Sequence, residues 1–127
     1  MLFTGDIEQI AEKQILQEYN IAKAKEESNQ NLNKDTKAIK KSENYLNADI
    51  IKVAHHGSKT SSTQEFIKVV NPKIALIGVG KNNKFGHPNE EVLNRLKENE
   101  VDVYRTDKVG EIIIEVNRRG DIFKISH

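Results

Sequence analysis

The sequence predicts a protein of the α/β class, in which helices cover a single sheet. Short apolar runs alternate with segments whose apolar residues recur at helical spacing, in the order β-α-β-α-β-α-β-β-β. The run at 73–79 is continuous, as in a strand that is buried on both faces. The last two runs flank the turn residues 117–120 and predict a hairpin. Together these observations predict one mixed sheet with about three helices.

A short buried strand is predicted at 1–4 and a helix at about 7–21. The apolar residues that set the helical spacing are Ile7, Ile10, Ala11, Ile15, Leu16 and Tyr19. From about 22 to 47 the composition changes to Lys, Glu, Asn, Gln and Ser, which is typical of a segment that buries little apolar surface. We therefore expect a polar insertion there, made of a charged helical extension followed by a loop.

The later elements follow from apolar runs bounded by turn residues. Strands are predicted at 49–54, 73–79, 101–104, 111–116 and 121–125, with a turn at 106–110. A helix is predicted at 61–70 with Ser61 or Ser62 as its cap, and another helix is expected to begin at Pro88. The inward-facing residues of these helices are expected to be Phe66, Val69, Val70, Val92, Leu93 and Leu96. The helices cover one sheet face and leave little chain for the other, which favours a missing half of the domain or self-association.

The composition limits the classes of function. With 127 residues, the chain is long enough for one domain with a modest core. A net charge of +1 gives no general attraction to nucleic acid, so any polyanion binding must come from a local patch or from a metal. The absence of cysteine excludes disulfides, cysteine zinc sites and a thiol nucleophile. No apolar run approaches the roughly 20 residues that span a bilayer, so the chain is expected to be soluble as given.

Residues with metal-binding or catalytic side chains follow three of the predicted strands. The apolar run at 51–54 ends in His55 and His56, and Gly57 then allows the backbone to turn. His87 lies in a loop after the run at 73–79, and Asp6 closes the first strand. Imidazole and carboxylate groups are typical ligands of a divalent metal such as Zn or Mn. The sequence therefore predicts a metal site formed by loops at strand ends.

Each of these groups also has a purely structural interpretation. Asp6 is well placed to cap the helix that follows it. Adjacent histidines on a strand point to opposite faces, so His55 and His56 cannot easily bind one metal unless the chain turns between them. We expect one histidine to be a ligand and the other to orient it or to contact substrate. The alternative is a polar junction between a strand and a loop.

Two polar loops are suited to phosphate. Ser58 and Lys59 begin a hydroxyl-rich segment at 58–63, which precedes a predicted helix and resembles an anion cradle. The loop at 81–88 contains Lys84 and His87 beside amides and an aromatic residue, a composition that suits a phosphodiester with a base to stack. The alternatives are simple helix capping for the first loop and a polar lead into a helix for the second. For residues 104–107, which end a predicted strand, a turn exposed to solvent is favoured over a role in the site.

Four ordered blocks in this sequence resemble a known family. The blocks are LFTGD at 2–6, KVAHHGSKTS at 52–61, IGVGKNNKFGHP at 77–88 and VYRTD at 103–107. In this order they closely resemble the C-terminal metallo-β-lactamase-like domain of the ComEC/Rec2 competence proteins, which are membrane proteins of bacterial DNA uptake. The resemblance covers nearly the whole chain outside the polar insertion.

The resemblance implies the αββα sandwich of the metallo-β-lactamase fold, with a dinuclear Zn or Mn site at one edge. It implies a hydrolase of nuclease or phosphodiesterase type that acts on single-stranded DNA or another phosphodiester. Asp6 matches the bridging carboxylate of the family, and His56, or else His55, matches its last ligand histidine. The expected catalytic residues are Asp6, His56 and His87. The expected substrate-binding residues are Ser58, Lys59, Lys84 and His87.

One departure from the family concerns the metal ligands. The His-x-His-x-Asp-His cluster of the first half of the domain has no counterpart in this sequence. Residues 1–127 are therefore expected to be a partial domain, its second half, that binds metal weakly or not at all. Its expected partners are the first half and the membrane channel domain of the parent protein, with this domain outside the bacterial cell membrane. The alternative is a non-catalytic remnant that binds DNA or a partner.

Overall fold

The computed structural model describes residues 1–30 and 45–127. Its helices are α1 (Gln9–Gln30), α2 (Gln64–Val70), α3 (Glu90–Glu98) and α4 (Thr106–Val109), and a 3₁₀ turn lies at Ala54–Gly57. Its strands are β1 (Leu2–Phe3), β2 (Ile50–Lys52), β3 (Ile74–Ile77), β4 (Asp102–Arg105), β5 (Ile113–Val116) and β6 (Ile122–Ser126). Strands and helices alternate from β1 to α4, which confirms the predicted α/β class.

The strands β1, β2, β3 and β4 form a parallel sheet in that order. One row of paired residues across the sheet consists of Leu2, Ile51, Ala75 and Val103. The next row, on the opposite face, consists of Phe3, Lys52, Leu76 and Tyr104. Because all four strands run in the same direction, their carboxyl ends lie along one edge of the sheet. We call this the carboxyl edge.

The hydrophobic core lies on the face of the first row. It consists of Ile51, Val53, Phe66, Ile67, Val70, Ala75, Ile77, Val79, Val92, Leu96 and Val101. Each large apolar side chain in it contributes about 1.5–3 kcal/mol relative to exposure. The predicted inward positions Phe66 and Val70 are fully buried, whereas Val69 and Leu93 are only half-buried. Ile67, for which no inward position was predicted, is fully buried.

The antiparallel hairpin of β5 and β6 is confirmed, and it forms a sheet of its own. One mixed sheet was predicted, but the parallel and antiparallel pairs are separate. Between the two sheets, the predicted turn at 106–110 forms helix α4, which ends at Val109 and is followed by Gly110. Gly110 has a φ of 79°, a left-handed conformation that favours glycine, and the chain does not continue along β4.

The polar insertion begins with helix. α1 extends to Gln30, well beyond the predicted end at residue 21, so the expected charged helical extension is present in the described part of the insertion. Residues 31–44, on which the rest of that prediction falls, lie outside the described residues. Tyr45 packs edge to face on Tyr19 of α1, with ring centroids 5.3 Å apart.

Within 1–30 and 45–127, no helix combines the length and the apolar character that crossing a membrane requires.

Several element boundaries differ from those predicted. β1 is not a buried strand, because the Phe3 side chain is 70% exposed on an edge strand. α2 is capped by Thr63, whose hydroxyl accepts from the Phe66 N–H at 3.4 Å, and not by Ser61 or Ser62. The Ser61 hydroxyl points inward instead and donates to a backbone carbonyl. α3 begins after Pro88, with Asn89 as its cap, because the Asn89 side chain accepts from the Glu91 N–H.

Candidate functional site

Backbone hydrogen bonds tie three loops together at the carboxyl edge. The His55 N–H donates to the Gly5 carbonyl at 3.1 Å, which joins the loop after β2 to the loop after β1. The Asn89 N–H donates to the Gly57 carbonyl at 2.8 Å, which joins the loop after β2 to the segment after β3. The loops that bear Asp6, His55, His56 and His87 therefore meet at one edge of the sheet.

The two adjacent histidines have an unusual backbone conformation. His55 has φ 46° and ψ 45°, and His56 has φ 54° and ψ 21°, so both lie in the left-handed region. Such a conformation costs about 1–3 kcal/mol per residue for side chains other than glycine and is concentrated at functional sites. The predicted turn at Gly57 thus begins two residues earlier, at His55. This earlier turn removes the strand constraint that would direct the two rings to opposite faces.

The His56 ring is oriented by a main-chain oxygen. Its Nδ1 makes a short hydrogen bond with the Gly78 carbonyl, on the loop after β3. A carbonyl can only accept, so Nδ1 carries a proton, and in the neutral tautomer with this bond the lone pair is on Nε2. A carbonyl partner of this kind is typical of metal-binding histidines. The side chain of His56 is also exposed, and its orientation fits the prediction of a ligand histidine.

The rings of His55 and His87 face each other across the junction of two loops. Their centroids are 6.0 Å apart, with 53° between the ring planes. The Nδ1 atoms of both rings are buried and find no hydrogen-bond partner among the described residues. Buried polar atoms are nearly always paired in folded proteins. The Gln64 Oε1 is also buried without a partner, so the feature that distinguishes the two histidine nitrogens is their shared position at this junction.

Glu8 is a residue of this edge that sequence reasoning missed. Its Oε1 lies 3.5 Å from the His55 Nδ1, close enough for electrostatic attraction but outside hydrogen-bond geometry. The same oxygen accepts a long hydrogen bond from the Thr60 hydroxyl. The only signal in the sequence was a second carboxylate two positions after Asp6. Asp6 itself is exposed on the loop whose Gly5 carbonyl receives the His55 N–H.

The described residues do not fit a complete metal site. Imidazole and carboxylate donors are the right chemistry for Zn or Mn. However, within 1–30 and 45–127 no three His, Cys, Asp or Glu side chains form a group that could hold a metal ion. A catalytic zinc normally has three protein ligands. The assignment of Asp6, His55 and His56 as ligands therefore stays a prediction.

The amides before α2 are already occupied by a side chain of the protein itself. The Glu12 carboxylate, on α1, accepts from the Ser62 N–H at 2.5 Å and from the Thr63 N–H at 2.8 Å. The interpretation of 58–63 as an anion cradle is therefore wrong for these amides. Ser58 is buried and its hydroxyl lies 3.0 Å from that of Thr60. Lys59, by contrast, is exposed, and phosphate binding by its side chain stays a prediction.

The loop after β3 is organised by one amide side chain. The Asn83 Oδ1 accepts from the N–H groups of Phe85, at 3.2 Å, and of His87, at 3.0 Å. Its Nδ2 donates to the His87 carbonyl at 2.7 Å. The Phe85 ring stacks beside the His87 ring, with centroids 6.3 Å apart and 20° between the planes. Lys84 lies exposed next to this pair.

The end of β4 closes the edge and is more ordered than the predicted solvated turn. The Thr106 hydroxyl accepts from the Val79 N–H at 2.8 Å and lies 2.9 Å from the Val79 carbonyl, so it fixes the start of the loop after β3. The Arg105 guanidinium donates two hydrogen bonds to Asp107, at 3.0 and 2.7 Å. These bonds lower the pKa of the Asp107 carboxyl, and the positive charge of Arg105 adds to the effect.

Parts of the chain are similar to competence and recombination proteins. ComE operon protein 3 of Bacillus subtilis is 42% identical over 80 residues, which are 63% of this chain and 10% of that protein. Competence protein ComA of Neisseria gonorrhoeae is 35% identical over 75 residues, which are 59% of this chain and 11% of that protein. Recombination protein 2 of Haemophilus influenzae is 34% identical over 64 residues, which are 50% of this chain and 8% of that protein.

The chain thus spans about a tenth of the length of these relatives. The matches confirm the resemblance carried by the four sequence blocks. No family model and no solved structure matches the chain.

Proposed function

Because homologues of this chain are competence proteins of the ComEC/Rec2 type, we propose that it is part of a hydrolase domain that cleaves phosphodiester bonds of DNA during uptake. In this proposal the chain is the second half of a metallo-β-lactamase-like sandwich. Its partners are the first half of the domain and the membrane channel domain of the whole protein. The substrate is single-stranded DNA, and the domain lies outside the cell membrane.

The observation that supports this proposal most strongly is the group of imidazoles at the carboxyl edge. Three of the four histidines of the chain, His55, His56 and His87, lie on loops that meet there. Two of them have buried Nδ1 atoms without a hydrogen bond, and the third has an exposed side chain whose Nδ1 bonds to the Gly78 carbonyl. A metal ion or a phosphate oxygen at the junction would satisfy the two buried nitrogens.

The residues of this chain have distinct roles in the proposal. His56, held by the Gly78 carbonyl, contributes one imidazole to the predicted divalent metal site, which residues of the first half complete. A divalent metal at the completed site would lower the pKa of its bound water and so supply a hydroxide near neutral pH. His87 and Lys84 hold the phosphate group, and their positive or hydrogen-bonding groups offset charge on its oxygens. His55 lies close to Glu8 and His87, and in this proposal it orients the part of the site that the loop after β2 contributes.

The test is a nuclease assay on the whole protein, with single-stranded DNA and either Mn²⁺ or Zn²⁺. We expect His56→Ala and Asp6→Ala to lower cleavage by at least about 100-fold, because a catalytic metal that loses a ligand loses most of its activity. His127→Ala is the matched control, since this fourth histidine lies beside Tyr104 in the last residues of the chain rather than among the three loops. Unchanged cleavage in both His56→Ala and Asp6→Ala would reject the proposal.

One observation favours a second candidate function. Within 1–30 and 45–127, no three His, Cys, Asp or Glu side chains form a group that could hold a metal ion. A domain that only binds DNA or a partner needs no such group. The same assay separates the two functions. A non-catalytic domain retains single-stranded DNA binding in the wild type, but its nuclease activity stays at background with either metal.

A further inference from the structure

Phe85 is an exposed aromatic residue in an unusual place. Its side chain is 84% exposed, the highest value for a large hydrophobic residue in the described parts of the chain. An isolated exposed apolar residue needs no explanation. Phe85, however, lies in the loop that borders the imidazole group, and its ring is stacked beside that of His87. The ring therefore forms part of the candidate site.

The backbone that carries this ring is held by one side chain. Asn83 accepts hydrogen bonds from the backbone N–H groups of Phe85 and His87, and it donates one to the His87 carbonyl. Three bonds from one side chain restrain the backbone on both sides of the exposed ring. A platform that is ordered before binding loses less conformational entropy when a ligand stacks on it.

The surroundings of the ring are positively charged. Lys81 and Lys84 are both exposed, and the segment 78–88 contains no acidic residue. Neither lysine makes an ion pair with a residue in 1–30 or 45–127. Both lysines precede Phe85 in the same loop. Lysines and an exposed aromatic ring on one loop are a combination that proteins use to bind single strands, with phosphates on the charges and bases on the ring.

The exposed ring is linked to the candidate site through His87. The centroid of Phe85 is 6.3 Å from that of His87, and the centroid of His87 is 6.0 Å from that of His55. A base stacked on Phe85 would therefore lie within one ring contact of His87, whose Nδ1 is one of the two unpaired nitrogens.

From this arrangement we infer that Phe85 is a stacking platform for an unpaired base of single-stranded DNA, with Lys81 and Lys84 on the adjacent phosphates. This inference rests on the proposed function and assigns the residues that recognise its single-stranded substrate. In a duplex the base faces are covered by neighbouring base pairs, so the ring cannot stack on them without unpairing. A phosphodiester without a base leaves the ring unused.

The absence of tryptophan from the sequence allows a direct test. Phe85→Trp introduces a single fluorescent indole at the proposed platform. We expect oligothymidylate to quench its emission in a saturable manner, whereas the same strand in a duplex and an abasic strand of equal length leave the emission largely unchanged. Ile21→Trp is the control, because this residue is 55% exposed on α1 and lies outside the loop.

The second measurement is oligothymidylate affinity by fluorescence anisotropy. We expect Phe85→Ala to weaken binding by roughly 5- to 150-fold and Phe85→Tyr to change it by less than about 2-fold, because tyrosine retains the ring. Removing Lys81 or Lys84 should lower the salt dependence of binding by about 0.7 in the logarithmic slope per charge.

The outcomes separate this inference from the proposed function. Equal quenching by duplex and single strand, or wild-type affinity in Phe85→Ala, would overturn the inference. If cleavage by the whole protein still depends on His56 in that case, the proposed function stands without the platform. If single strands fail to bind the chain and cleavage is unchanged in both His56→Ala and Asp6→Ala, both are rejected.

Discussion

Glu12 and Arg95 both make hydrogen bonds to the backbone of the turn at 61–63, Glu12 to its N–H groups and Arg95 to its carbonyls. The Glu12 carboxylate accepts from the N–H groups of Ser62 and Thr63, whereas the Arg95 guanidinium donates to the carbonyls of Ser61 and Ser62 at 3.2 and 3.3 Å. Glu12 is fully buried, although it belongs to a helix that is mostly polar. This turn is bonded to the residue before the two histidines, because the Ser61 hydroxyl donates to the Ala54 carbonyl at 3.0 Å. Helices α1 and α3 thus position the loop after β2.

Replacement of Glu12 should destabilise the fold strongly. In Glu12→Ala the buried Ser62 N–H and the half-buried Thr63 N–H lose their acceptor, and we expect the free energy of unfolding to fall by about 3 kcal/mol. Glu12→Gln keeps one acceptor oxygen and the shape of the side chain, so its cost should be about 1–2 kcal/mol. Urea denaturation followed by circular dichroism measures both values.

The control for this prediction is Glu18→Ala, which removes an exposed carboxylate from the same helix and should change stability by less than about 0.5 kcal/mol. Equal stability of Glu12→Ala and Glu18→Ala would show that the buried carboxylate contributes nothing to the turn.

Replacement of Gly57 should separate two loops of the site. Gly57 has a φ of 83°, and a Cβ atom added there would lie 2.5 Å from the Cβ and 3.0 Å from the Cα of Pro88. Gly57→Ala must therefore shift the backbone at Pro88 and accept a left-handed alanine. We expect a loss of at least about 2 kcal/mol of unfolding free energy from conformation and overpacking together.

Gly80→Ala is the matched control for Gly57→Ala. A Cβ atom at Gly80 meets no heavy atom within 4 Å, and its φ lies outside the left-handed region. Its stability should stay within about 0.5 kcal/mol of the wild type. A loss of equal size in both variants would contradict the close packing of Gly57 on Pro88.

The general architecture follows from local sequence patterns. Continuous apolar runs between helical segments predict parallel strands, and parallel strands bring their carboxyl ends to one edge. The sequence places Asp6, His56 and His87 after three predicted strands, but the strand order β1-β2-β3, which makes their loops neighbours, is seen only in the structure. The hairpin of β5 and β6 follows similarly from two apolar runs around a Gly-containing turn.

The details of the site depend on contacts between distant segments. Glu12 is 50 residues from Ser62 in the chain, and a carboxylate on a polar helix is normally exposed. The pattern 58–63 therefore indicated an anion cradle, because no local signal showed that its amides were already bonded. The same limit applies to Glu8, which approaches His55 only because the loops after β1 and β2 are adjacent.

The Arg105–Asp107 pair predicts a dependence of stability on pH. The two hydrogen bonds from Arg105, and then its charge, hold the pKa of Asp107 below its ordinary value of 3.8, although partial burial opposes them. A carboxyl with a lowered folded-state pKa stabilises the protein above the unfolded-state pKa. This stabilisation is lost as the pH falls through the lower, folded-state value. We therefore expect Asp107→Asn to be less stable than the wild type by about 1 kcal/mol at pH 7, with the difference closing below pH 3.8.

Comparison with Asp49 tests the influence of exposure on this effect. The pKa of Asp49 is also lowered, first by its hydrogen bond from Lys73, but both side chains of this pair are more than half exposed. In the Arg105–Asp107 pair the exposed fractions are only 23% and 11%. High salt should therefore reduce the effect of Asp49→Asn more than that of Asp107→Asn. Equal salt dependence of the two variants would contradict this difference in screening.

Removal of the Asn83 side chain should loosen the loop after β3 with little effect on the core. The Phe85 and His87 N–H groups lose their acceptor in Asn83→Ala, so we expect their hydrogen exchange to become about 2- to 10-fold faster. Asn83→Asp retains the acceptor but loses the donation to the His87 carbonyl, and it should give an intermediate rate. Asn82→Ala, at the exposed neighbouring position, is the control.

Since the loop is exposed and the core is formed by other residues, the global stability of Asn83→Ala should differ from that of the wild type by less than about 1 kcal/mol. Unchanged exchange at both amides in Asn83→Ala would mean that the loop is ordered by something other than this side chain.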